Sequence, residues 1–336
     1  MIQGAPYESR WVRSAPRAAP PSHLLQRIVQ RALPGCRVVD AQPLTGGLRN
    51  ANFKLELDQP PGSTVLRIYE HDASLCRKEL DLIALIGGVV PVPHVLHAEV
   101  DGWADVPPFA LLRYIDGFTF HDFKRSEDAE TVAQASGSVG QTLALIGQTI
   151  FPKSGWVGPG PEVTAPLLVG PDPSPRFVDL CLASSSLQQR MPPDLRDRTR
   201  KFVWSFAPQL AAVDNGVSLV HGDFGKRNLL MRNLKGTWTI VAVLDWEFAV
   251  SGSPLIDVGH FLRYECASRP LAEPHFSKGF LRAGGTLPEG WRRLARVVDS
   301  IALCESLTHE TLPVAIVTEL LELIHSTVED RDPRFS

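Results

Sequence analysis

The chain has 336 residues, 44% of them apolar and 21% charged, with 34 Lys and Arg against 37 Asp and Glu and a net charge of −3. That is ordinary globular composition, and a chain of this length is expected to divide into two lobes. The charge balance argues against a general nucleic-acid binder, which needs a basic surface, and no apolar run approaches the roughly 20 residues of a membrane helix. The N-terminus lacks the apolar segment of a signal peptide. The five cysteines are scattered without a CxxC pair, which disfavours a disulfide framework or a zinc site and fits a reducing cytoplasm.

Residues 1–21, with Pro16, Pro20 and Pro21, read as a poorly ordered tail. Ser22 is the expected N-cap of a helix to about Leu33, with Leu24, Leu25, Ile28, Val29 and Ala32 on one face and Pro34-Gly35 as the stop. Strands follow at Arg37–Leu44, Asn52–Leu57 and Thr64–Tyr69, then a helix at Ser74–Ile86 and two further strands at His94–Val100 and Phe109–Ile115. Residues 36–115 therefore suggest a five-stranded antiparallel sheet with one inserted helix. Beyond Asp116-Gly117 helical periodicity dominates, at Asp128–Ile146, Arg176–Gln188, Arg196–Val213, Trp291–Leu307 and Thr311–Val328. Gly155–Pro175 reads as an irregular loop, and short strands are expected at Ser218–Val220 and Thr239–Leu244. The class is α+β: a tail (1–21), a β-rich lobe (22–113) and a larger, mainly helical lobe (114–336), with a cleft between the lobes.

The segment with most chemical content is His221-Gly222-Asp223-Phe224-Gly225-Lys226-Arg227-Asn228, between two short apolar strands, followed by an apolar strand that ends in Asp245-Trp246-Glu247. Phosphoryl transfer to a hydroxyl needs a carboxylate to orient the hydroxyl and take its proton, and further oxygen ligands to hold magnesium against phosphates. Asp223 suits the first role, Asn228 and Asp245 the second. Singly, such residues often only make turn hydrogen bonds. The full H-x-D-x-x-x-x-N run, bracketed by strands and followed by an apolar strand ending in Asp, points to catalysis.

These residues resemble the catalytic loop and metal-binding motif of the aminoglycoside phosphotransferase family, which includes choline-kinase-like and homoserine-kinase-like enzymes. The resemblance covers roughly residues 36–330 and is most specific around 219–263. It implies a protein-kinase-like two-lobed fold, Asp223 as catalytic base, Asn228 and Asp245 as magnesium ligands, and ATP as phosphoryl donor. Trp246-Glu247 replaces the Phe-Gly of protein kinases and no Ala-Pro-Glu segment follows, which favours a small-molecule kinase over a protein kinase. Asp257, in Ser253-Pro254-Leu255-Ile256-Asp257, is expected to accept backbone N–H groups near the catalytic loop or to cap the next helix.

In the small lobe, Gly46 and Gly47 lie in a Thr45–Asn50 turn whose backbone could cradle phosphates, and similar enzymes carry a Gly-Gly-x-x-Asn loop here. Such a hairpin is also often only a turn. Arg67 stands where protein kinases have lysine. Pointing inward it needs a carboxylate, and Glu79 on the following helix can supply it, aiming the guanidinium at the α- and β-phosphates. An exposed strand arginine is the other reading. By resemblance, the Arg113 carbonyl and the Ile115 amide would hold adenine.

The acceptor is expected to be a small molecule with a hydroxyl. The near balance of charge beyond residue 118 shows no dense acidic surface for a polycationic antibiotic. Glu247 and Glu265 could contribute locally, Glu319 to Asp332 reads as a solvated helix face, and Trp156, Trp204, Trp246 and Tyr264 are aromatics available to a cationic amine. No nucleic-acid or membrane partner is expected, and oligomeric state is open. A nucleotide-binding pseudokinase module is the rival from outside enzymes, kept alive by Arg67.

Overall fold

The computed structural model describes residues 19–44, 50–103, 105–265 and 269–329. Most of the expected tail, at residues 1–18, lies outside that range. Helix α1 (Ser22–Ala32) is followed by β1 (Val38–Pro43), β2 (Ala51–Leu57), β3 (Ser63–Ile68), α2 (Ser74–Ile86), β4 (Val95–Glu99) and β5 (Phe109–Arg113). The sheet is antiparallel throughout, in the order β1-β2-β3-β5-β4. Alternation in β2 buries Ala51, Phe53, Leu55 and Leu57, which pack with Leu25, Ile28 and Val29 of α1. The opposite face meets α2 through Tyr69, Cys76, Ala110 and Leu112. Ser22 is the first helical residue rather than the N-cap. Pro21 holds that position, and its carbonyl accepts the Leu24 and Leu25 N–H groups.

The chain leaves this sheet at Arg113 and forms β6 (Phe118–Thr119), which joins a strand of the second lobe. Helices α3 (Phe120–Ser126) and α4 (Ala129–Ile146) follow, then β7 (Gly155–Val157) and β8 (Val163–Ala165). Next come α5 (Pro173–Ala183), α6 (Ser185–Arg190), α7 (Pro193–Ser205), α8 (Ala207–Asp214), β9 (Ser218–Val220), β10 (Leu229–Leu234), β11 (Thr237–Val243) and β12 (Val250–Gly252). Helices α9 (Leu255–Leu262), α10 (His275–Arg282), α11 (Trp291–Ser306) and α12 (Val314–Val328) complete the lobe. Two small sheets cross it, β11-β10-β6 and β8-β7-β12-β9.

Three sequence expectations are corrected. The stretch 155–175 contains β7 and β8, too short to carry a periodic signal but paired through β12. The helix expected at 176–188 breaks at Ser184, whose extended backbone ends α5 while its hydroxyl accepts the Leu187 N–H and starts α6. The helix expected at 196–213 breaks at Phe206, just before Pro208, so that α7 and α8 bury different faces.

The centre of this lobe is the crossing of α4 and α10. It is close because glycines meet backbone: a Cβ on Gly279 would lie 2.0 Å from the Gly137 carbonyl oxygen, and one on Gly140 equally close to that of Phe276. Gly279→Ala is therefore expected to lower stability by about 1–3 kcal/mol through overpacking. Gly88→Ala, where a Cβ meets nothing within 4 Å, should stay within about 0.5 kcal/mol. Urea unfolding of both variants checks the contrast.

Candidate active site

The site is built where both lobes deliver polar residues to one place. From the small lobe, β3 presents Arg67 on the face that meets α2, opposite Asn52 and Ala110. Its side chain is 8% exposed. Arg67 Nε pairs with Glu79 Oε2 of α2 at 2.9 Å, and Arg67 Nη2 pairs with Asp245 Oδ1 and lies 3.8 Å from Glu247 Oε2. Arg67 thus points inward, as one of the two sequence readings required.

The expected Arg67–Glu79 pair is present, inside a wider network. Tyr69 donates its hydroxyl to Glu79 Oε2 at 2.7 Å, and the Trp246 N–H donates to Glu79 Oε1 at 3.3 Å. Lys78 donates to the Glu247 carbonyl at 2.7 Å. Asn50 donates to Glu247 Oε2 at 2.6 Å. Burial and the neighbouring Asp245 push Glu247 up to about 7 and raise Glu79, while Arg67 pulls both down. Burial lowers Lys78 to about 8. Gly46 and Gly47, with Arg49, lie outside the described residues, so only Asn50 represents the glycine loop.

The other wall is the loop between β9 and β10. Here Asp257 of α9 accepts the His221 N–H at 2.7 Å and the Gly222 N–H at 2.9 Å. This is the backbone-accepting alternative expected for Asp257. Burial raises its carboxyl to about 7, against the pull of those N–H groups. His221 is buried and lowered to about 4, so the ring is neutral near pH 7. Its Nε2 pairs with the Leu244 carbonyl at 2.8 Å and its Nδ1 accepts the Asp223 N–H at 3.2 Å, which assigns the proton to Nε2. Gly222 has φ +80°, and a Cβ there would fall 2.3 Å from the Phe248 carbonyl oxygen, so the turn into Asp223 needs glycine.

Asp223, Asn228 and Asp245 come together as expected. Asn228 Nδ2 donates to the Asp223 carbonyl and to Asp223 Oδ2, both at 2.9 Å. That orientation leaves the amide oxygen of Asn228 as an available acceptor. The Leu244 N–H donates to the Asn228 carbonyl at 2.8 Å, which fixes the strand ending at Asp245 beside the loop. Asp245 itself is left-handed, with φ 69°, a conformation aspartate tolerates better than most residues. Burial first, and Asp245 second, raise Asp223 to about 7, while its side chain keeps 36% of its surface open to the cleft. A carboxylate of that strength can accept a proton near neutral pH.

Several acidic and aromatic residues considered for the acceptor are engaged elsewhere. Glu265 is buried, 3.5 Å from Lys124 Nζ, and accepts the Ala272 and Glu273 N–H groups. Glu319 is fully buried and accepts the Tyr264 hydroxyl at 2.6 Å, which corrects its reading as part of a solvated face. Trp246 and Tyr264 are core residues, and Trp204 donates to Asp179. The sequence reading missed His260 of α9, whose Nε2 lies 3.3 Å from Asp223 Oδ1. Its only sequence signal is the three-residue step from Asp257, uninterpretable until Asp257 is known to hold the loop. Arg113 leaves the sheet with its N–H on the His94 carbonyl at 2.9 Å, and Ile115 follows in the connection between lobes.

A model of the phosphotransferase enzyme family matches residues 40–297. Among solved structures, the chain is similar to a thermostable mutant of aminoglycoside phosphotransferase APH(4)-Ia in ternary complex with AMP-PNP and hygromycin B. Identity is 18%, coverage is 92% of this chain and 99% of that chain, and the TM-score is 0.66. It is also similar to the GDP complex of wild-type aminoglycoside 2'-phosphotransferase-IIIa, with 15% identity, coverage of 93% and 100%, and a TM-score of 0.68. These likenesses establish the kinase-like fold. No curated protein matches the chain.

Removing the shared cation tests the network. Arg67→Met leaves Glu79 and Glu247 buried without their counter-charge, and breaking a buried pair in this way costs about 3–5 kcal/mol. Urea unfolding should show that loss, and Arg67→Lys, which keeps the charge but not the fork, a smaller one. An unchanged midpoint in Arg67→Met would remove Arg67 as a stabilising link between the lobes.

Proposed function

The chain belongs to the phosphotransferase enzyme family, and from that premise we propose that it is an ATP- and magnesium-dependent kinase acting on a hydroxyl of a small molecule. The observation that carries this reading is the convergence of Asp223, Asn228 and Asp245 on one cleft, with Arg67 facing them from the other lobe. Asp223 orients the acceptor hydroxyl and takes its proton as the oxygen–phosphorus bond forms. The bond from the γ-phosphorus to the bridging oxygen breaks, and its electron pair leaves on ADP. No phosphoenzyme is required.

The amide oxygen of Asn228 and the carboxylate of Asp245 would offer the hard oxygen donors that magnesium prefers. These two residues would hold the ion, which neutralises charge developing on the phosphates. Arg67, steadied by Glu79, would meet the α- and β-phosphates, with Gly46, Gly47 and Asn50 closing over them. The Arg113 carbonyl and the Ile115 amide would bind adenine. Direct transfer from ATP in the cytoplasm is the corresponding setting. The carboxylates considered for a polycationic acceptor, Glu265 and Glu319, are satisfied internally, which favours a neutral or weakly charged hydroxyl compound.

A screen of hydroxyl metabolites, amino alcohols, sugars and aminoglycosides for magnesium-dependent ADP release tests the activity and finds the acceptor. With that acceptor, Asp223→Asn should lower turnover about 10²–10⁴-fold while nucleotide still binds. Turnover within a few-fold of wild type would exclude the base role.

The ionised form of Asp223 is the active one. With its carboxyl raised to about 7, kcat/KM should climb as pH rises through about 7 and level off above it. A profile flat from pH 5 to 9 would contradict this. Asp245→Ala should weaken ATP binding only when magnesium is present, as read by calorimetric titration with and without the ion.

A further inference from the structure

We infer that His260 is a positioning residue for Asp223, restraining the carboxylate oxygen that Asn228 does not bond; this rests on the kinase reading. The two carboxylate oxygens of Asp223 have different neighbours. Oδ2 accepts the Asn228 amide at 2.9 Å, and Oδ1 faces His260 Nε2 at 3.3 Å. With Oδ2 bonded to Asn228 and the His260 ring 3.3 Å from Oδ1, rotation of the carboxyl group is restricted, and the remaining lone pairs keep a set direction towards the cleft. A catalytic base gains from such restriction because the proton it accepts must lie within hydrogen-bond reach along one direction.

The arrangement is built into α9. One face of that helix carries Asp257, which holds the loop backbone through His221 and Gly222, and His260 three residues later, which meets the loop's carboxylate. Backbone and side chain of the loop are therefore referenced to the same rigid element. Room for the ring comes from Gly225, since a Cβ there would lie 3.3 Å from His260 Nε2. Behind the ring, Arg263 is fixed by Asp299 through bonds of 2.7, 3.0 and 3.1 Å. Burial, with Arg263 and Lys226 as neighbouring cations, keeps the imidazole neutral. With its proton on Nε2, the neutral ring presents an N–H towards Asp223 Oδ1 and does not compete as a base.

Two measurements test this. The first needs no acceptor: a double-variant cycle of His260→Phe and Asp223→Ala, followed by urea unfolding. Direct contact predicts that the unfolding equilibrium constant of the double variant departs from the product of the single effects by about 2- to 10-fold, and additivity overturns the contact. The second uses MgATP with water as acceptor. His260→Phe should lower kcat about 10- to 100-fold with the KM for ATP unchanged, and His260→Gln, which keeps a donor, should recover most of it. Equal activity of Phe, Gln and wild type overturns the positioning role. Wild-type protein that binds no MgATP instead overturns the kinase reading, and with it the catalytic meaning of His260, whatever the cycle reports about the contact.

Discussion

A single buried guanidinium, that of Arg67, joins the two lobes of this protein. Its charge cannot leave the low-dielectric space between them, and no side chain with a lower pKa could stay charged there as reliably. Glu79 and Asp245 come to it from opposite lobes, and Glu247 stands close behind. Glu79 and Glu247 are each further satisfied by a donor from the other side of the cleft: Trp246 N–H on Glu79, Asn50 on Glu247. The orientation of α2, the placement of Asp245 and the entry to the glycine loop are consequently parts of one charge balance. Losing any member leaves a buried charge uncompensated, a larger penalty than the loss of a surface pair.

The same economy of buried polar groups shapes the loop that carries Asp223. Its backbone turns back on itself at Gly222 and exposes N–H groups that no strand can satisfy. Asp257 supplies the acceptors, and His221 uses both ring nitrogens, one towards Leu244 and one towards the Asp223 N–H. The loop is thereby held by groups that are themselves deeply buried, while the Asp223 side chain stays open to the cleft. A carboxylate that is both fixed in place and raised in basicity by its surroundings suits proton acceptance.

The acidic residues of the large lobe follow a different rule. Acidic side chains that the sequence offers for substrate recognition are turned inward, Glu265 on backbone amides and Glu319 on Tyr264, and Asp299 is likewise bound to Arg263. They hold α9, α11, α12 and the segment after Glu265 against one another. Electrostatic capture of a polycation would need these groups in solvent.

The N-terminal sheet was legible strand by strand, to within two residues at each end, because period-two alternation, Gly and Pro turns and one helix of thirteen residues are local signals. The His221–Asn228 run and the Asp that follows β11 were legible because residue type and short spacing are local signals, although the loop itself is held by Asp257 of α9. The three-residue strands β7, β8 and β12 were not, since too few residues alternate and none of them, unlike β9, runs into the His221–Asn228 run. The breaks at Ser184 and Phe206 were hidden because apolar spacing continues across both. Burial of Glu319 and the inward aim of Glu265 depend on partners 55 and 7 residues away, and the approach of His260 to Asp223 on a helix 37 residues further on. Sequence alone determined which residues could do chemistry, because chemistry resides in side-chain type and local spacing. Which of them face the cleft was decided only by the packed structure, because burial and charge pairing are properties of neighbours the chain brings together from afar.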